Sequence, residues 1–194
     1  MNILAIPRSD TGSLLAQPYS RYGIDDLPKA FTYKPRQELE TDPDYLQIIA
    51  YALLQRADGQ IWAYRRTGGD ARLHARKSVG VGGHVDETDR HPDGIVATSR
   101  NALLRELSEE LINPPPDNAI VALPLGCIQE QESAFGRVHI ELVWRIQWKT
   151  TDAPKTAHGE ALESIGFQPA ASILRSKGFE HWSELAVSLC LDHT

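Results

Sequence analysis

Residues 78–113, SVGVGGHVDETDRHPDGIVATSRNALLRELSEELIN, decide how this chain is read. A glycine cluster (Gly80, Gly82, Gly83) opens the stretch, a polar and acidic loop follows, and a helical pattern carrying Arg105, Glu106, Glu109 and Glu110 closes it. Glu106 and Glu110 are four apart and Glu109 is three from Glu106, so all three carboxylates share one sector of a helix surface. Leu103, Leu104, Leu107 and Leu111 supply an apolar stripe for a core. Three like charges so close repel unless a cation sits among them, and a hard divalent ion such as Mg²⁺ suits a carboxylate set. The same spacing also describes a solvated acidic face; the glycines upstream favour a site.

Immediately before the glycines stand Arg72, His74, Arg76 and Lys77, a basic approach to a loop whose backbone can cradle an anion. Further upstream, 47–55 (QIIAYALLQ) is a nearly continuous apolar run, the mark of a strand buried on both faces. Asp58-Gly59 is a turn signal and 60–65 (QIWAYR) resumes as a strand, so 46–66 reads as a hairpin. Downstream, Asp93, Thr98 and Ser99 compete as helix caps, with the main helix expected over 98–111 and stopped by Asn113 and three prolines. Residues 119–130 suggest a strand interrupted at Pro124. The clearest alternation in the chain is 138–148, with Val138, Ile140, Leu142, Trp144 and Ile146 on one side and His139, Glu141, Arg145 and Gln147 on the other. A short strand near 165–167, a short helix over 169–177 and an amphipathic helix over 180–191 complete the pattern. Strands on either side of a central helix, with another helix at the end, imply an α/β sandwich: a mixed sheet covered on both faces.

Residues 1–44 are uneven. Apart from a short strand at 2–6, proline, glycine, aspartate and tyrosine interrupt every period. They are expected to form an irregular arm packed on a domain of residues 45–194, with 17–43 as a pocket wall or a homodimer arm.

Length and composition agree with one soluble domain. The 194 residues are 41% hydrophobic and 24% charged. A net charge of -6 argues against a stable nucleic-acid complex but not against a small anionic ligand. Two cysteines, Cys127 and Cys190, give no disulfide framework and suit a reducing compartment. No leader or membrane-length apolar run is visible, so cytoplasmic residence is the expectation, with no membrane partner.

The central stretch resembles the signature of the Nudix (MutT-like) hydrolases: a glycine, five residues, a glutamate, seven residues, then Arg-Glu-aliphatic-x-Glu-Glu-x-Gly-aliphatic. Gly83 matches the first glycine, Asp89 stands at the first glutamate, and Arg105, Glu106, Leu107, Glu109 and Glu110 match the core at its internal spacing. The run RLHARKSVGVGGHVDETD is also similar to a branch of that family described only as predicted phosphoesterases, which implies no defined substrate. Three departures stand out. Fifteen residues separate Asp89 from Arg105 where the signature has seven, an insertion of eight. Asp89 is shorter than glutamate, and Ile112 replaces the helix-ending glycine, so Asn113 is expected to take the left-handed cap.

The resemblance implies a Nudix-like α/β/α sandwich and a Mg²⁺- or Mn²⁺-dependent hydrolase that cleaves the pyrophosphate of a small-molecule nucleoside diphosphate derivative. Glu109 and Glu110 would be the main metal ligands, Glu106 a further ligand or the residue that orients water, and the Gly82 carbonyl another ligand. Arg105 would be a structural ion-pair partner for Asp89. Family members recruit one more carboxylate as general base or ligand; Glu160 is the first choice by position, then Glu163, then Glu141. Arg72, Arg76 and Lys77 would hold the distal phosphate, and His74 and His84 are candidates for acid–base work. Pocket aromatics are sought among Tyr45, Tyr51, Trp62, Tyr64 and Trp144. The rival readings are a non-catalytic Nudix-fold module that binds a nucleotide-like ligand, and an isoprenoid diphosphate isomerase. The second would want a reactive cysteine in context, which neither Cys127 nor Cys190 has.

Overall fold

A computed structural model of the chain describes residues 1–15, 19–68, 75–150 and 152–193. The first segment runs through β1 (Asn2–Pro7), β2 (Tyr19–Tyr22), β3 (Thr32–Pro35) and a single helical turn, α1 (Arg36–Leu39). The centre follows with β4 (Tyr45–Arg56), β5 (Ile61–Arg66), the two-residue strands β6 (Lys77–Ser78) and β7 (Gly80–Val81), and the long helix α2 (Ile95–Glu110). Then come β8 (Ala122–Glu130), β9 (His139–Trp148), β10 (Leu162–Gln168), α3 (Ala170–Arg175) and α4 (His181–Leu191).

Among the described residues the strands form one mixed sheet, whose main order is β10-β5-β4-β9-β8-β2. β4 and β9 run parallel from Gln47↔His139 to Arg56↔Trp148, and their neighbours are antiparallel. This parallel pair needs a crossover, and the chain between the strands supplies it with α2 and β8. β4 is buried from Leu46 to Gln55, as a both-faces apolar run demands. Its alternate residues point into two cores. Ile48, Ala50, Ala52 and Leu54 pack with Ala102, Leu103 and Leu107 of α2. Ile49, Tyr51 and Leu53 pack with Trp182, Ala186, Val187 and Leu189 of α4. The result is the α/β/α sandwich that the pattern of elements implied.

Three local expectations are corrected. The 46–66 hairpin forms at its turn, where Gln55 pairs with Ile61, but β7 then takes up pairing with Ala52 and Leu53. Gly80 permits this, because a Cβ there would lie 1.8 Å from Cζ of the Tyr51 ring. The acidic helix starts at Ile95 rather than 98, so part of the inserted sequence lengthens the helix; Gly94, at φ 97°, takes the cap position. Thr98 and Ser99 lie inside the helix instead: the Thr98 hydroxyl accepts from the His91 N–H at 3.0 Å, and Ser99 Oγ accepts from Trp144 Nε1 at 3.1 Å.

Residues 1–44 are not simply irregular. β1 pairs antiparallel with both β3 and β4, and it also reaches the loop before α2. Leu4 donates its N–H to the Val85 carbonyl at 2.8 Å, and Asn2 Nδ2 donates to Glu87 Oε2 at 3.0 Å. Ile3, Leu4, Ala5 and Ile6 are fully buried, which explains why this apolar run joins the sheet. At the far end of α2, Asn113 does adopt φ 51°, the left-handed conformation expected of it.

Candidate active site

Gly82, Gly83 and the acidic sector of α2 come together. A Cβ on Gly83 would lie 2.7 Å from Glu106 Oε1, and one on Gly82 would lie 1.9 Å from the Ala50 carbonyl oxygen. Only glycine lets the loop sit between β4 and Glu106 at this distance.

Arg105 organises the carboxylates. Its guanidinium forks onto Asp89, donates from one Nη to Glu106 Oε1 at 2.8 Å and Glu109 Oε2 at 3.1 Å, and donates from the other to the His84 carbonyl at 3.0 Å. The hydrogen bond to Asp89 is the main reason its pKa lies above the ordinary arginine value. This cation lies between Glu106 and Glu109, and among the described residues no three His, Cys, Asp or Glu side chains stand ready to enclose a metal ion.

Glu110 points elsewhere. Its Oε2 is buried and has no hydrogen-bond partner. Burial, reinforced by Glu106 and Glu160, raises its pKa to about 8, while Arg66 opposes the shift. Burial also raises the Glu106 pKa, against the pull of Arg105. A buried carboxylate oxygen without a donor is costly in an ordinary core. Carboxylate oxygens of this kind are hard donors, the chemistry that Mg²⁺ or Mn²⁺ takes in preference to zinc.

The tail of α2 is stapled to the loop carrying Glu160. Ala157 donates its N–H to the Glu110 carbonyl at 2.7 Å, Ile112 donates to Lys155, and Leu111 bridges to Thr156. Glu160 is exposed and close enough to Glu110 to affect its protonation. Glu163 is exposed on β10 opposite Arg65, whereas Glu141 is buried on β9 with Oε1 unpartnered.

The basic residues separate. Arg72 and His74 lie outside the described residues. Arg76 donates to the Phe179 carbonyl at 3.1 Å, and Lys77 sits over the Phe179 ring, so both engage the segment leading into α4. Arg66, which the sequence reading did not single out, is the cation that acts on Glu110, and it pairs with the buried Glu180 at 2.5 Å. Alternation along β5 puts it on the side of Trp62 and Tyr64, which was the available signal. His84 stands 3.0 Å from Gln47 Oε1 and 3.1 Å from His139 Nε2. Burial, with Arg36 and His139, pushes its pKa down to about 3, so it stays a neutral imidazole rather than an imidazolium acid. Of the aromatics sought for a pocket, Trp62, Tyr64 and Trp144 are core. Tyr45 lies under Lys34, and Tyr51 lines a cavity.

No family model matches the chain. Protein YmaB of Bacillus subtilis (strain 168) is 36% identical over 126 residues, which is 63% of this chain and 59% of that relative, so the chain spans less than two thirds of the relative's length. Among solved structures, Tm1382, proposed to be a Nudix hydrolase, superposes with a TM-score of 0.74 over 100% of both chains at 20% identity. The Nudix domain of Shewanella oneidensis NrtR, solved with ADP ribose, gives 0.56 at 14% identity, over 76% of this chain and 88% of that one. The mixed sheet between α2 and α4, the loop–helix motif and these superpositions together give the chain the Nudix hydrolase fold.

Proposed function

We propose that this chain is a Nudix-type pyrophosphohydrolase that uses Mg²⁺ or Mn²⁺ to cleave the pyrophosphate linkage of a nucleoside diphosphate derivative. The observation that carries this is Glu106 packed against Gly83 on the helix that also bears Glu109 and Glu110, with a buried Glu110 oxygen that lacks a donor. The ADP ribose bound by the NrtR Nudix domain supports the substrate class.

Glu109, Glu110 and the Gly82 carbonyl would hold the cation, with Glu106 as a further ligand or as the group that orients water. A bound Mg²⁺ or Mn²⁺ would supply an acidic water and neutralise phosphoryl charge. Arg105 keeps the loop and helix in register through Asp89 and lies between Glu106 and Glu109, offsetting their mutual repulsion. Glu160, exposed beside Glu110, is the candidate general base. Arg72, Arg76 and Lys77 remain candidates for the distal phosphate, and Arg66 joins them because it acts on the acidic cluster.

A screen of nucleoside diphosphate derivatives with Mg²⁺ or Mn²⁺, beside Glu110→Gln, tests the assignment. Metal-dependent turnover that Glu110→Gln abolishes is expected. The second reading, a module that binds such a ligand without cleaving it, draws on the Arg105 guanidinium between Glu106 and Glu109. Tight binding without turnover of any substrate would favour it. No helix among the described residues is long and apolar enough to cross a membrane; cytoplasmic residence belongs to the same reading. Light scattering of the full chain tests the homodimer.

A further inference from the structure

α4 covers the central strands only as far as Cys190, whose sulfur lies 3.8 Å from Gln55 Oε1. The sheet continues past it, with Gln55 beside Gln147 across the parallel β4–β9 pair and Leu123 beside Arg145 across β8 and β9. This end of the sheet holds a pocket of about 280 Å³, bordered by those four side chains, Arg56 and Val121. Along β4 the pocket begins at Gln55, whereas the glycine loop meets the strand at Ala50. Roughly 17 Å of strand therefore separates the two.

The pocket is more than a solvated sheet end. Two arginines border it in a chain of net charge -6, and no acidic residue is part of its wall. The Arg145 side chain is partly buried, engages the Cys190 sulfur and has no carboxylate partner among the described residues. Arg56 is loosely held, 3.8 Å from Asp58 Oδ2 and with its guanidinium 5.1 Å from the centroid of the Phe167 ring. Neither cation is neutralised by a close ion pair. Val121 and Leu123 leave 41% and 45% of their surface exposed beside them. One exposed aliphatic side chain is ordinary. Two beside a pair of under-neutralised arginines make the pocket amphiphilic.

We infer that this pocket binds a small organic anion, its carboxylate or phosphate held by Arg56 and Arg145 and its short apolar body laid on Val121 and Leu123. The site is separate from the proposed pyrophosphate site and does not depend on that reading. Guanidinium forks suit either head group, because each presents paired oxygens. The exposed Gln147 amide adds donors without repelling an anion. Pockets for drug-sized ligands begin at roughly 300 Å³, so the volume fits a head group with a short chain rather than a nucleotide.

Titration calorimetry of the full, metal-free chain with hexanoate and hexyl phosphate, beside acetate and inorganic phosphate, tests the assignment and separates the two head groups. One of the six-carbon anions is expected to bind, and to weaken about fourfold for each methylene removed. Arg145→Met keeps an apolar stem without the charge and should weaken binding by about ten- to a hundredfold. Arg145→Lys should lose less. Arg56→Met is the second variant, should Arg145→Met fail to fold, and acts in the same direction. Leu123→Ser should flatten the dependence on chain length. The proposal is overturned if neither six-carbon anion binds, if chain length makes no difference, or if binding survives both arginine variants. Dimerisation in light scattering that Leu123→Ser abolishes would assign the pocket to a second copy of the chain, and overturn it as well.

Discussion

Arg105 and Asp89 meet fork to fork across sixteen positions of sequence, Nε to Oδ1 at 3.0 Å and Nη2 to Oδ2 at 2.9 Å. Asp89 Oδ2 also accepts the Asp86 N–H at 2.8 Å, so the 5%-exposed carboxylate is fully engaged. The pair closes the loop onto the helix in spite of the eight inserted residues, and an aspartate is long enough to do it. Asp89→Asn leaves the guanidinium with a poorer partner. It should cost about 2 kcal/mol, less than a fully buried pair because Arg105 is partly exposed. Urea denaturation reads this directly; an unchanged midpoint would mean that the pair does not hold the loop.

Gly83→Ala tests the close approach of loop and helix. The new methyl would press on Glu106 at 2.7 Å, where the nearest atom is the end of a flexible side chain. Activity with metal should therefore fall by an order of magnitude or more, while stability changes by about 1 kcal/mol. Gly82→Ala meets the backbone carbonyl of Ala50 at φ 142° and should destabilise more. The ordering of the two thermal midpoints decides the point.

Glu110→Gln removes a carboxylate that burial and the neighbouring Glu106, Glu160 and Glu109 disfavour. Without metal at pH 8 the variant should melt at or above the wild-type temperature. With Mn²⁺ added, the wild type should gain stability and the variant should gain much less. Equal metal-induced shifts in both proteins would remove Glu110 from the ligand set.

Glu141 gives the chain a pH dependence with a definite sign. Its folded pKa, about 8, lies above an unfolded value of about 4.3, so the folded state binds more protons between them. Its contribution to stability is fully present below the unfolded pKa and is lost as pH rises through the folded one. Relative to Glu141→Gln, the wild type should lose stability from pH 5 to pH 8.5. Parallel denaturation profiles for the two proteins would contradict the buried, protonated state.

Much of the fold was legible because it rests on periodicity. The run at 47–55 read as a strand buried on both faces, and the alternation of 138–148 as a second strand. What periodicity misses is pairing. The glycines at 80–83 carry no side-chain pattern, so nothing local revealed that β7 would take up pairing with Ala52 and Leu53. Likewise residues 2–6 read only as a short strand, while their pairing with β4 and with the loop before α2 came from the structure.

The candidate site divides along the same line. Spacing on one helix is a local property, so the shared sector of Glu106, Glu109 and Glu110 could be read from the sequence by itself, while the Arg105–Asp89 pair was implied by the resemblance to the family signature. Which of those carboxylates lacks a partner, that Arg66 rather than Arg76 or Lys77 acts on Glu110, and that Glu141 turns an apolar strand position into the wall of a cavity were decided only by the tertiary structure. The physical reason is that helical phase follows from 3.6 residues per turn, whereas desolvation and long-range charge depend on what the rest of the chain brings alongside.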